Sequence, residues 1–312
     1  MTAETSSSAK VLPSGEQFEI SCGGQRATIV EVGGGLREYV VDGRPVLEPY
    51  AADRMCDGAH GAPLIPWPNR LEDGRYSFDG TTYQVPLTEP EKRNAIHGFV
   101  LWQSWEATER DAGRVVMTTH LHPREGYPFT LGLRISYDLG PRGLTVATTA
   151  ENLGDRACPY GHGQHPYLSP GSGHIDACTL QLSGSTRIVT DPERQLPIGR
   201  EPVAGTDFDF LEPRGLGEAR IDHAFTDLVR DDDGRAWTRL WGSDGGCAGV
   251  WVDHRYGFVE TYTGDTLAPD RARQGLGAEP MTCPPNGFAT GDQVIRLEPG
   301  ESVTATWGAC LS

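Results

Sequence analysis

The chain has 312 residues and a formal net charge of -16 at neutral pH, a balance that opposes nucleic-acid binding, since lysine and arginine contacts to phosphate supply most nonspecific affinity for DNA and RNA. No run approaches the roughly 20 consecutive apolar residues of a membrane helix, and the opening MTAETSSSAKVLPSGE lacks the basic-then-apolar order of a secretory signal, so no membrane partner and a cytoplasmic location are expected. The seven cysteines form no C-x-x-C pair and are odd in number, which argues against a disulfide framework and a structural zinc cluster.

The elements, in chain order, read as strands and turns. Residues 1–12 are Ser-rich and polar and are expected to be flexible; residues 13–312 are expected to form one domain, a length an all-β fold can fill alone. Gly (40) and Pro (23) make up a fifth of the chain, and the hairpin signal Asp-Gly occurs at 42, 57, 73, 79, 233 and 244. After RATIVEV comes RYSFDGTTYQV (75–85), in which Tyr76 and Phe78 alternate with polar residues, Asp79-Gly80 turns the chain, and Tyr83 and Val85 alternate back: a hairpin with one apolar face. RVVMTTHL and LRISYDL (133–139) follow, the latter with Leu133, Ile135, Tyr137 and Leu139 on one side, and then GLTVATTAEN. Residues 186–220, rich in proline and charge, read as a long, irregular, decorated loop. GVWVDH, GFVETYT, QVIRL and ESVTATW complete the series. With no long amphipathic helix and no repeat of fixed period, the pattern predicts an all-β protein, a large antiparallel β-sandwich.

The familiar catalytic signatures are missing: there is no G-x-S-x-G elbow, H-E-x-x-H, P-loop, or G-x-G-x-x-G after a strand. DDDG at 231 lacks EF-hand spacing and reads as a solvated turn. In GHGQHPYLSP, His162 and His165 are three apart, but the glycines and Pro166 oppose a helix, and on a strand the two point to opposite faces, so no shared metal is expected. His120 and His122 share a strand face without a third ligand nearby and read as surface histidines. Four further stretches hold polar residues framed by glycine, proline or aromatics: PLIPWPNRLEDGRY with Arg70, NAIHGFV with His97, RIDHAF with Asp222 and His223, and GLGAEPMTCPPNGF with Glu279. Taken singly, each reads as an ordinary turn or surface group.

Taken in order, the set resembles the aldose 1-epimerase (mutarotase) family, from about residue 15 to the end: an Asn-Arg pair before DGRYSFDG, Asn-x-x-His-Gly, His-Pro-Tyr, DHAF, AEPMTCPPNGF and a terminal LEPGES. The resemblance implies a galactose mutarotase-like sandwich that interconverts the α and β anomers of a free hexose, without cofactor or metal. A base takes the proton of the C1 hydroxyl while an acid protonates the ring oxygen, and the roles reverse on closure. By resemblance Glu279 is the base and His165 the acid, set on opposite sides of one sugar, with the histidine raised modestly by a neighbouring carboxylate. Arg70, His97 and Asp222 match the family's substrate-orienting positions. Tyr167 and Pro166 wall the acid, and Trp67, Tyr167 and Phe288 are the aromatic candidates for stacking on sugar. Glu260 in FVETYTGD is a second carboxylate, at a position usually neutral or variable in the family. Arg93 is the extra cation that could serve an anionic sugar, and Cys283 reads as a buried, inert thiol. Gln164, Pro166 and Leu168 depart from the motif of galactose-type members, which bears on galactose preference. Two other readings stand beside this one: a glycoside hydrolase using Glu279 and Asp222, and a sugar-binding or regulatory protein without turnover.

Overall fold

The computed structural model describes residues 11–171 and 173–312, so nearly all of the segment expected to be flexible lies outside the described residues. Strands dominate: the described residues hold 27 of them against one four-residue helical turn, Gly287–Thr290, and two short 3-10 turns. The protein is all-β, as the alternating pattern predicts.

Local sequence explains the hairpins. Asp79 (φ 48°) and Gly80 (φ 75°) both adopt positive φ, the requirement of a two-residue turn matched to strand twist, and they pair Arg75–Phe78 with Thr81–Gln84 through Tyr76 opposite Tyr83. Leu131–Gly140 and Gly143–Asn152 pair along their whole length, with Leu133, Ile135, Tyr137 and Leu139 all buried.

The strands assemble into two large antiparallel sheets, one of twelve strands and one of nine. A single apolar cluster lies between them. It joins Ile20, Ile29 and Tyr39 of the larger sheet to Met117, Ile135, Tyr137, Val250 and Trp307 of the smaller, the inner-face interdigitation of a sandwich.

The structure corrects one expectation. Much of 186–220 is not irregular: Gly184–Thr190 and Pro197–Pro202 form an antiparallel hairpin at the edge of the twelve-stranded sheet. The Asp191 carboxylate accepts from the amides of Glu193, Arg194 and Leu196 and folds the turn. Pro192, Pro197 and Pro202 sit in the turn or at strand ends, where an edge strand tolerates a missing donor. Their density masked the alternation in the sequence.

The turn at 231 and the histidines at 120 and 122 match their reading. The Asp231 carboxylate accepts from Asp233 and Arg235 amides in a solvated turn, and His120 and His122 are exposed. All seven cysteines are free. Among the described residues, no helix is long and apolar enough to cross a membrane, and no cluster of three or more His, Cys, Asp or Glu could hold a metal ion.

Candidate active site

Four neighbouring strands of the twelve-stranded sheet build the site: Tyr167–Leu168, Leu276–Met281, Phe258–Tyr262 and Asp222–Leu228. Side chains on a strand alternate faces, so residues opposite one another in register form rows on one face. One row runs Asp222, Tyr262, Gly277, Tyr167, and the next runs Ala224, Glu260, Glu279. His165, two residues before Tyr167, extends the second row. Val259 and Ala278, one step out of phase, enter the sandwich core.

Gln164 determines which way His165 points. Its buried amide donates to the Gly61 carbonyl (3.1 Å) and the Tyr137 hydroxyl (3.0 Å) and accepts from Trp307 Nε1 (3.1 Å), stitching the strand to the opposite sheet. The adjacent His165 is thereby turned to the outer face, its backbone held by Ala62 and Gly61. His162 lies in the core, 3.0 Å from the Tyr256 hydroxyl, so the two histidines diverge as strand geometry requires.

On the outer face His165 Nε2 lies 3.2 Å from Glu279 Oε1, and both side chains are almost fully buried. Burial pushes the Glu279 carboxyl well above its usual range, with the Asp222 charge adding to the rise, and pushes the His165 imidazole down to about 3. The expected upward shift of the histidine is therefore reversed. Without water neither charged form is stabilised, so burial works against an ion pair at this contact. The expected placement on opposite sides of a sugar is also corrected, because a 3.2 Å contact leaves no room for a ring between the two groups.

The pair borders a cavity of about 620 Å³, within the range of small-molecule sites. A larger surface groove of about 780 Å³ near Glu31, Gln103 and His120 holds no such buried acid and base. Arg70, His97, Asp222 and Tyr167 all border the His165–Glu279 cavity. Arg70 Nε and Nη2 are engaged by both oxygens of Glu89, at 2.9 and 3.0 Å. His97 has φ 62°, a costly conformation for a side chain of this size, and its Nδ1 accepts from the Asn69 amide at 3.2 Å. The following Gly98 (φ 68°) is required, since a Cβ there would lie 2.0 Å from the Ile65 carbonyl. Burial and its neighbours His165 and Arg70 hold the His97 imidazole well below its ordinary value. The Asp222 carboxylate accepts from the Gln195 amide.

The chain compares with known proteins over nearly its whole length. The sequence profile of the aldose 1-epimerase family matches residues 16–308. The chain belongs to the aldose 1-epimerase family. It is 34% identical to the uncharacterized protein YihR of Escherichia coli over 92% of this chain and 91% of that protein. Its fold is shared with an aldose epimerase homologue from C. elegans (TM-score 0.84, 17% identity, 95% and 98% of the two chains). A galactose 1-epimerase from Lactobacillus acidophilus is similar (TM-score 0.79, 21% identity, 94% and 92%).

Some residues singled out within this epimerase family chain lie elsewhere than expected. Trp67 and Phe288 pack on each other and on Phe99 and Tyr76 in the core, away from the cavity. Arg93 is exposed and paired with Asp73 at 3.0 Å. Tyr167 is fully buried, its hydroxyl donating to Gly58, and its ring is sandwiched between His60 (4.1 Å) and His165 (4.9 Å), a wall beneath the imidazole. The buried Cys283 thiol is pushed up to about 12 and is inert.

The sequence reading left out other residues of the cavity wall, among them Asn69, Met55, Trp102, Tyr262 and Leu267. Trp102 and Met55 are exposed at its rim. Asn69 stood in the quoted Asn-Arg pair, whereas Trp102 and Met55 carried no local signal. Asn286 of the closing motif anchors the Arg70 strand, donating its amide to the Arg70 carbonyl (2.7 Å) and accepting from the Glu72 amide (2.9 Å).

Proposed function

We propose that this protein is a cofactor-independent mutarotase that interconverts the α and β anomers of a free, neutral hexose, with Glu279 as base, His165 as acid, and Arg70, His97 and Asp222 orienting the sugar. The observation that carries this reading is the buried 3.2 Å contact between His165 and Glu279 at the cavity wall. Ring opening takes a proton from the C1 hydroxyl and adds one to the ring oxygen. Both oxygens are bonded to C1, so base and acid must lie side by side.

The resting pair holds one mobile proton, on Glu279. Passing it across the contact leaves a carboxylate and an imidazolium. Glu279 then takes the hydroxyl proton as His165 protonates the ring oxygen, and the C1–O5 bond breaks to give the open aldehyde. After rotation about C1–C2 the O5 hydroxyl returns its proton to His165 and attacks the carbonyl carbon, whose oxygen recovers a proton from Glu279. The proton then passes back from His165 to Glu279, and the protein ends as it began.

The charge of the cavity supports a neutral substrate. Among the described residues lining it, Arg70 is the one Arg or Lys, and it is already engaged by Glu89, whereas Asp57, Asp222, Glu260 and Glu279 are all acidic. The test is anomer exchange by NMR over a panel of neutral and anionic aldoses. Faster exchange of a neutral hexose is expected. Hexose binding without faster exchange would favour a binding protein, and release of reducing sugar from an aryl glycoside would favour a hydrolase.

A further inference from the structure

Glu260 lies directly opposite Glu279 on the adjacent strand, on the same face, an arrangement in which two ionised carboxylates repel. It is 3% exposed, borders the cavity, and as a carboxylate leaves Oε2 without any hydrogen-bond donor. The groups facing it are Asp222 from Asp222–Leu228, Glu279 from Leu276–Met281 and the guanidinium of Arg70, with His97, His165 and Tyr262 on the same cavity wall. One cation, shared with Glu89, does not balance three carboxyl groups, two of them buried.

Asp222 lies on the same face of the adjacent strand, two residues from the Ala224 that pairs with Glu260, a diagonal placement within reach of long side chains, and two carboxyl groups can hydrogen-bond only when one carries the proton. A chain of contacts identifies which. Lys92 can only donate, and its Nζ meets Gln195 Oε1. That contact turns the Gln195 amide nitrogen towards Asp222, to which it donates. Asp222 is therefore the acceptor from one side, and its carboxyl oxygens can accept from Glu260 on the other. Burial and the neighbouring Asp222 and Glu279 charges push the Glu260 carboxyl well above its usual range, in agreement with this polarity.

We propose that Glu260 is a positioning residue that works as an un-ionised carboxylic acid donating to Asp222, so that Glu279 is the carboxyl of this cluster left free to exchange a proton with substrate. This rests on the mutarotase reading of the site. Lys92 and, from the segment read as a loop, Gln195 set the direction of the chain.

Two measurements test it. The first is independent of turnover: carbon-13 NMR of protein labelled at the glutamate side-chain carboxyls, compared between wild type and Glu260→Gln at neutral pH. The resonance lost in the variant is expected at the position of a protonated carboxyl, and loss of an ionised one overturns the proposal even in an active enzyme. A protonated signal in a protein without mutarotase activity would sink the functional reading and leave the protonation of Glu260 standing. The second is kinetic. Glu260→Leu is expected to lower kcat/KM by about ten-fold or more, the size of one hydrogen bond to a charged group. Glu260→Gln, which keeps a donor for Asp222, should recover most of that loss and shift the alkaline fall of kcat/KM to higher pH. A Gln variant as impaired as the Leu variant would show that Glu260 acts ionised.

Discussion

His165 and Glu279 touch at 3.2 Å although they stand more than a hundred positions apart in the chain, Glu279 within Leu276–Met281 and His165 between the short strands Gly163–Gln164 and Tyr167–Leu168. The contact is made because the segments on either side of His165 pair with Leu276–Met281, Gly163 with Met281 and Tyr167 with Gly277, which brings His165 level with Glu279. Burial disfavours the charged form of each, and in the proposed mechanism the pair shares one mobile proton.

Removing either member should abolish most turnover while leaving the fold intact. Glu279→Gln and His165→Gln are expected to slow anomer exchange by about 10² to 10⁴, the usual contribution of one acid or base. Polarimetry on freshly dissolved α-glucose or α-galactose reads the loss directly. Near-normal rates in both variants would remove the assignment.

The Arg70 guanidinium owes its orientation to Glu89. Both side chains are nearly buried, and a lysine cannot reproduce the two-point contact. Arg70→Lys and Glu89→Gln should therefore raise KM by about ten-fold or more with a smaller change in kcat, as expected when hydroxyl contacts made throughout the reaction are lost. Initial-rate measurements over a range of sugar concentration separate the two effects.

Gln164 is a structural linchpin that can be removed without touching the cavity wall. In Gln164→Leu the Trp307 indole nitrogen loses its hydrogen-bond partner, whereas the Tyr137 hydroxyl keeps Gly34 and the Gly61 carbonyl keeps the Leu36 amide. The expected loss is about 1–3 kcal/mol, the cost of one orphaned buried donor, measured by urea unfolding. Activity should fall as well, because the strand that aims His165 loses its tether.

His162 offers a pH test away from the cavity. Burial holds its imidazole down at about 3, whereas an unfolded histidine binds a proton near pH 6.5. Unfolding therefore takes up a proton between those values, and stability falls as pH drops through that window by up to about 1.4 kcal/mol per unit for this residue. Glu260 and Glu279, raised in the folded state, act in the opposite sense and lose stability as pH rises. His162→Gln should flatten the acid slope by about one proton's share, read from unfolding curves between about pH 7 and about pH 5. An unchanged slope would mean that native His162 is already charged there.

The sequence alone determined what depends on near neighbours. Period-two alternation marked the strands from Arg114 to Asn152, Asp79-Gly80 marked its hairpin, and the glycine- and proline-framed motifs marked Arg70, His97, His165, Asp222 and Glu279, all of which border one cavity. Proline density hid the hairpin at 184–202, because the same residues serve loops and edge strands. Only the tertiary structure decided which strands lie side by side and in what register, and with it that Glu260 faces Glu279 while Trp67 and Phe288 turn to the core. The protonation of the site belongs to the same level. Desolvation and charge-charge repulsion depend on distances between groups remote along the chain, so a sequence can name the imidazole and the carboxylates without saying which of them holds the proton.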